Sequence, residues 1–198
     1  MLFRSRLVLL HSGILYATPD RDPTTFFKAL GALKREGRIS GESLKVILRA
    51  SGYEELYRSR IHEADIEDIV QLAPAVGYQE ALKEMLTVEG LLLFQGHDSN
   101  PAIPAKLYEY LRARRPIFAM VDSAGETAQA LRATGVGTIV PLDSQRDIEV
   151  KLGLFIEGIQ KGTNAIASDE TIRLYSRQVQ AQQLAHLFDQ VVGAPKSL

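Results

Sequence analysis

The sequence contains no cysteine. Disulfides, thiolate nucleophiles and cysteine-ligated zinc are excluded together, and the composition suits a reducing cytosol. An excess of either charge is also lacking: 23 Lys and Arg stand against 24 Asp and Glu, a formal net charge of -1. So balanced a chain has no general attraction for nucleic acid or an anionic membrane, and any phosphate affinity must come from particular residues. Long apolar runs are missing as well. No segment reaches the roughly 18 consecutive apolar residues of a membrane span, and the apolar run in the opening Met1 to His11 stretch is too short for a secretory signal. These absences lead to the expectation of a cytoplasmic protein.

The common nucleotide and hydrolase signatures are absent too. Gly13 follows the first apolar run without a Gly-x-Gly-x-x-Gly, and no Gly-x-x-x-x-Gly-Lys-Ser/Thr occurs, which argues against ordinary dinucleotide binding and against P-loop chemistry. No Gly-x-Ser-x-Gly elbow is present. Gly135-Val136-Gly137 precedes an apolar run, so it reads as turn chemistry. His11, His62, His97 and His186 show no metal-ligand spacing, so no metal is expected; His97-Asp98 could form an acid–base pair.

What the chain does contain is alternation. Hydrophobic residues make up 45% of it, enough for a real core, and they fall in short apolar runs separated by amphipathic stretches. The runs 7–10, 44–48, 69–72, 91–94, 116–121 and 138–140 read as six strands of an open parallel sheet. The stretches between them read as helices, the first opened by Asp22 as cap and Pro23 as its first residue. Residues 169–192 read as one long terminal helix lying across the domain as a strap. The expected architecture is α/β, a single Rossmann-like domain over 1–198.

In such a sheet ligands bind at the carboxyl ends of the strands, near the point where strand order reverses. The loop Gly96-His97-Asp98-Ser99-Asn100 and the helix opened by Ile103-Pro104-Ala105-Lys106 stand there. Free amides at a helix start attract phosphate. Lys106 is a cation at a positive helix end, which a bound anion would explain. Glu109, one turn in, suits the paired hydroxyls of a ribose, although an i, i+3 ion pair with Arg112 is the simpler alternative, at about 0.2–0.5 kcal/mol.

Several segments in order make the chain resemble the C-terminal, donor-binding domain of GT-B glycosyltransferases of the retaining, family-4-like group. They are Ser12-Gly13, Arg21-Asp22-Pro23, Val76-Gly77-Tyr78-Gln79-Glu80-Ala81-Leu82, Ile103 to Leu111, Arg115-Pro116-Ile117 and Thr134-Gly135-Val136-Gly137, closed by the long terminal helix. The resemblance implies a domain that holds a nucleoside-diphosphate sugar as substrate, with no separate cofactor. Glu109 would grip the ribose. Gly13, Arg21, Arg49, Pro104, Ala105 and Lys106 would surround the diphosphate. Val76, Gly77 and Tyr78 would border the base, and His97, Asp98, Ser99 and Asn100 would lie near the donor sugar. No catalytic residue is assigned.

Two departures from that family stand out. Its Glu-x7-Glu pair falls here on Pro101 and Glu109, so the earlier carboxylate is replaced, and its Arg and Lys pair after the first strand has no clear match beyond Arg21. The resemblance further implies an acceptor-binding domain before this one, the chain being the C-terminal half of a two-domain hexosyltransferase-type enzyme, inactive alone. Any peripheral membrane contact would then run through that other domain. Exposed apolar residues in Ile14-Leu15-Tyr16 would mark the face it covers. The alternatives are a degenerate, non-catalytic sugar-nucleotide-binding module and a fragment of a sugar-nucleotide 2-epimerase.

Overall fold

A computed structural model describes residues 6–18 and 20–193, so residues 1–5 of the opening stretch weighed as a signal lie outside the described residues. Six parallel strands form one sheet in the order β3-β2-β1-β4-β5-β6: β1 Leu7–Ser12, β2 Leu44–Arg49, β3 Val70–Ala73, β4 Gly90–Gln95, β5 Ile117–Val121 and β6 Thr138–Val140. The order reverses between β1 and β4, where only Leu9 to Gly90 and Leu10 to Leu91 pair. The two strands therefore part toward their carboxyl ends, leaving a crevice between the loops that follow them.

The apolar runs explain the layers. Every residue of β4 and β5 is buried, as strands with helices on both faces require. One face carries α1 (Thr24–Arg35), α2 (Glu54–Glu63) and α6 (Gln145–Lys161) over a core that includes Phe26, Leu30, Tyr57, Phe94, Phe118 and Phe155. The other carries α3 (Tyr78–Thr87), α4 (Ala105–Ala113) and α5 (Glu126–Thr134) over Leu10, Leu91, Leu93, Leu107, Tyr110 and Ala119. Strand β2, between β3 and β1, buries Leu44, Val46 and Leu48 and leaves Lys45, Ile47 and Arg49 only half-buried.

Helix starts follow local chemistry, with one shift. Asp22 does cap α1, its carboxylate accepting from the Thr24 backbone N–H at 2.9 Å, but Pro23 sits before the first helical residue. Pro104 likewise precedes α4.

The expected single terminal helix is divided. It breaks at Tyr175 and Ser176 into α7 (Asp169–Leu174) and α8 (Arg177–Gly193), and the Ser176 hydroxyl accepts from the Val179 N–H at 3.3 Å as a fresh start. Nor is it a strap. Tyr175 packs against Tyr108 of α4, whereas Leu184, Leu187, Phe188, Val191 and Val192 of α8 are all more than half exposed.

Candidate functional site

The crevice between β1 and β4 is built by a few buried contacts. After β1 the chain turns at Gly13, whose φ of +121° is open to glycine and strained for any other residue. The Gly13 N–H donates to the Arg49 carbonyl at 2.8 Å, and the Leu15 N–H to the Ser51 carbonyl at 2.9 Å. Leu15 is fully buried, with its carbonyl accepting from the Tyr57 hydroxyl at 3.1 Å, so of the expected apolar trio only Ile14 and Tyr16 are exposed.

After β4, buried Gln95 donates through Nε2 to the carbonyls of Ser99 and Ala102, both at 2.8 Å. Those two bonds fold residues 96–102 into a tight turn that sets the entry angle of α4. Tyr110 of α4 then reaches back under β1, its hydroxyl accepting from the Ser12 N–H at 3.2 Å. Burial pushes this phenol well above the ordinary tyrosine range, so it stays a neutral anchor. The start of α4 is thereby fixed beside Gly13.

Lys106 extends from that start over the Gly13 turn. A Cβ at residue 13 would meet its Nζ and push the ammonium aside, while φ itself is what calls for glycine. Among the described residues the ammonium has no ion pair or hydrogen bond. Burial holds it below the ordinary lysine range, Arg21 adds to that, and Glu109 opposes it. Arg21 stands close by, 3.3 Å from Asp20 and 5.2 Å above the Tyr16 ring. Pro104 is extended (φ -66°, ψ 137°), and no side chain caps the helix, which leaves the N–H groups of Ala105 and Lys106 open to a ligand.

Glu109 lies one turn further along α4 and is half-buried. Its partner is the Tyr78 hydroxyl, which donates to Oε1 at 3.2 Å, and no pair with Arg112 forms. The segment assigned to ribose and the turn assigned to the base therefore meet. In that turn Val76 is half-buried, while Gly77 and Tyr78 are exposed at the start of α3.

Arg49 stands elsewhere, and the expectation that it would be a phosphate counter-charge is corrected. Its guanidinium grips Glu84 of α3 through Nε at 2.9 Å and Nη2 at 2.6 Å, and its Nη1 donates to the Pro74 carbonyl at 2.9 Å. A cation so committed ties β2 to α3. The expected sugar-side residues divide in the same manner. His97 and Asp98 form an exposed pair at 2.8 Å. The Ser99 hydroxyl donates to Asp20 at 2.9 Å, joining the loops after β1 and β4. Asn100 Nδ2 donates to Asp122 at 2.7 Å, while its Oδ1 would collide with a Cβ at Gly125, so the loops after β4 and β5 are locked together. Pro101 is exposed in the same turn.

Sequence reasoning set His11 aside, yet it lies under this site. It is 2% exposed, and Nδ1 is 2.9 Å from the Leu92 carbonyl. Burial first, then Lys106 and Arg21, hold its pKa down to about 3, so the imidazole is neutral at physiological pH. Of five buried side-chain polar atoms without a hydrogen-bond partner among the described residues, four belong to His11, Asp20, Arg21 and Ser51, in β1 or in the loops after β1 and β2. Native proteins satisfy nearly all such atoms, so their concentration here marks a place built for something polar.

A cavity of about 320 Å³ lies elsewhere, along the outer surface between α1 and α2. Lys28, Arg35 and Arg60 line it, but Arg60 is already committed to Asp22 at 2.6 Å. Among the described residues no three His, Asp or Glu are grouped to hold a metal ion, and no helix is long and apolar enough to cross a membrane.

No family model matches this sequence, and no curated protein matches it. Solved structures match its fold. A variant of S. aureus TarM in complex with Fondaparinux, alpha-GlcNAc-glycerol and UDP superposes with a TM-score of 0.67 at 11% identity, covering 94% of this chain and 36% of that one. Sucrose-phosphate synthase from Thermosynechococcus elongatus gives 0.60 at 11% identity, covering 98% and 47%. The C-terminal domain of the group 1 glycosyl transferase LpcC from Francisella tularensis gives 0.59 at 13% identity, covering 81% and 80%. This chain thus spans between a third and a half of the first two. What this chain shares with them is the fold, an open Rossmann-like parallel sheet flanked by helices.

Proposed function

We propose that the crevice beside Gly13 holds the nucleoside diphosphate of a sugar nucleotide, and that the chain is the donor-binding half of a glycosyltransferase. The observation that carries this reading is Lys106, a half-buried ammonium without a carboxylate partner, lying over a turn that only glycine permits. A diphosphate would supply the missing counter-charge. The open amides of Ala105 and Lys106 and the guanidinium of Arg21 would share its oxygens. Glu109, one turn deeper, would accept from the ribose hydroxyls, and Val76, Gly77 and Tyr78 would border the base. Among the structural matches, the UDP named with TarM supports this reading.

Transfer needs no protein nucleophile in this half. As the bond between anomeric carbon and diphosphate oxygen breaks, negative charge grows on the diphosphate, and fixed cations and amides stabilise it more than they stabilise the intact donor. The acceptor, and any acid–base residue acting on it, would come from a further domain. Exposed Ile14 and Tyr16 beside the crevice offer that domain a face.

A non-catalytic binding module is the second reading, and a specific observation favours it: Pro101 occupies an exposed turn where a carboxylate would meet the donor sugar. The epimerase reading has less support, because the only acid–base pair near the crevice, His97 and Asp98, faces solvent.

The test is a thermal-shift panel of uridine, guanosine, adenosine and thymidine diphosphates. Ligand at 100 times Kd stabilises by about 2.7 kcal/mol. A shift with one or more nucleotides is expected, and its loss in Lys106→Met ties it to this site. No shift with any of the four at millimolar concentration contradicts the proposal.

A further inference from the structure

His11 and Lys106 each lack what the other has. The Leu92 carbonyl, 2.9 Å from Nδ1, can only accept, so the imidazole proton sits on Nδ1 and Nε2 keeps a bare lone pair. That nitrogen is buried and finds no donor among the described residues. The ring cannot turn to seek one freely, because the edge of Phe94 packs against it at 5.1 Å. Two residues along the chain, the Lys106 ammonium lies over Gly13 with N–H groups to donate and no acceptor.

Of the other charged or titratable groups around the pair, none hydrogen-bonds to His11 Nε2 or to Lys106, although Asp20 Oδ1 and Arg21 Nε also lack a hydrogen-bond partner. Asp20 directs Oδ2 to Ser99 and Arg21. Arg21 is a cation and repels Lys106. Glu109 is engaged by Tyr78, and the Tyr110 hydroxyl by the Ser12 N–H. From β4 only Leu92 and Phe94 face the imidazole.

We propose that His11 is the positioning residue for Lys106: its unprotonated Nε2 accepts from the ammonium through one bridging water and holds it over Gly13 until a diphosphate takes that place. The last clause rests on the function proposed above; the pairing itself does not. The pairing also accounts for a histidine in a strand that is otherwise apolar. An imidazole whose free nitrogen stays neutral can steady a cation without competing for it, whereas a carboxylate at the same place would cancel the charge that the anion needs.

The pairing is tested on the whole chain by nitrogen NMR of the imidazole. In the wild type the Nε2 resonance is expected at a hydrogen-bonded acceptor position, and Lys106→Met should move it toward that of a free acceptor. An unmoved resonance overturns the proposal. Amine labelling gives a second readout. Loss of the acceptor leaves the ammonium less stabilised, so His11→Phe should speed reductive methylation of Lys106 at pH 8 at least threefold. His11→Gln, which places an amide oxygen near the Nε2 position, should stay within twofold of wild type. Equal rates in all three proteins overturn the proposal, and if the Phe variant does not fold the NMR result decides. Inorganic pyrophosphate should move the Nε2 resonance as Lys106→Met does. If the mutation moves it and pyrophosphate does not, the pairing stands and the diphosphate reading falls.

Discussion

Replacing Glu109 by alanine separates binding from folding more cleanly than any other change in the crevice. The carboxylate is half-exposed, and its one partner is the Tyr78 hydroxyl at 3.2 Å, on a side chain 67% exposed. Its loss should therefore cost the fold less than about 1 kcal/mol. For a bound nucleotide the loss is larger. A hydrogen bond to a charged group contributes about 1.5–3 kcal/mol, and the openness of the crevice argues for the lower figure. One such bond is worth about tenfold in affinity and two about a hundredfold. Isothermal titration with the nucleoside diphosphate that binds best should show a loss within that range. The 2′-deoxy form of the same nucleotide supplies the control. Wild type should bind it about tenfold more weakly than the ribo form, whereas Glu109→Ala should bind the two alike. Undiminished affinity in the variant, or ribose preference that survives it, refutes the assignment of Glu109.

Three further outcomes are expected. The unfolded chain takes up a proton on His11 near the ordinary value of 6.5 and the folded chain only near 3, so stability falls as pH drops through that window. Between pH 7 and pH 5 the loss should be roughly 2 kcal/mol, and chemical denaturation should show it much reduced in His11→Gln. Glu84→Ala strands the partly buried Arg49 guanidinium and should cost about 1–2 kcal/mol of stability while leaving diphosphate affinity unchanged; weakened binding would return Arg49 to the site. Gly13→Ala places a methyl group against Lys106 at a φ of +121°, so it should destabilise the fold by about 1–3 kcal/mol and weaken diphosphate binding, both measurable on one protein preparation.

The fold was legible because burial writes itself into local pattern. Leu91 to Phe94 and Ile117 to Val121 are uninterrupted apolar runs because helices cover both of their faces. The helix break at Ser176 was hidden for the complementary reason: apolar spacing continues from Ile172 to Val179, and periodicity does not register a cap. That α8 is exposed from residue 181 to 192 was hidden too, since an amphipathic stripe shows that a face is apolar without showing what covers it. The placement of Gly13 at the end of β1 and of Lys106 and Glu109 on α4 could be read because strand ends and helix starts have fixed relations in this kind of sheet. Arg49, at the end of β2, was misjudged because its partner, Glu84, lies 35 residues away on α3. A separation of 31 residues likewise hid the bond from Tyr78 to Glu109. His11 reads as one polar residue at the end of an apolar strand; only its bare nitrogen beneath Gly13 gives it a role.

The central claim is that a nucleoside diphosphate seats at Gly13 and the start of α4, and amide NMR of the labelled chain during a diphosphate titration tests it most directly. The amides of Gly13, Ala105 and Lys106 should shift together and saturate with a single Kd. Shifts confined to Lys28, Arg35 and Arg60, in the cavity between α1 and α2, would contradict it.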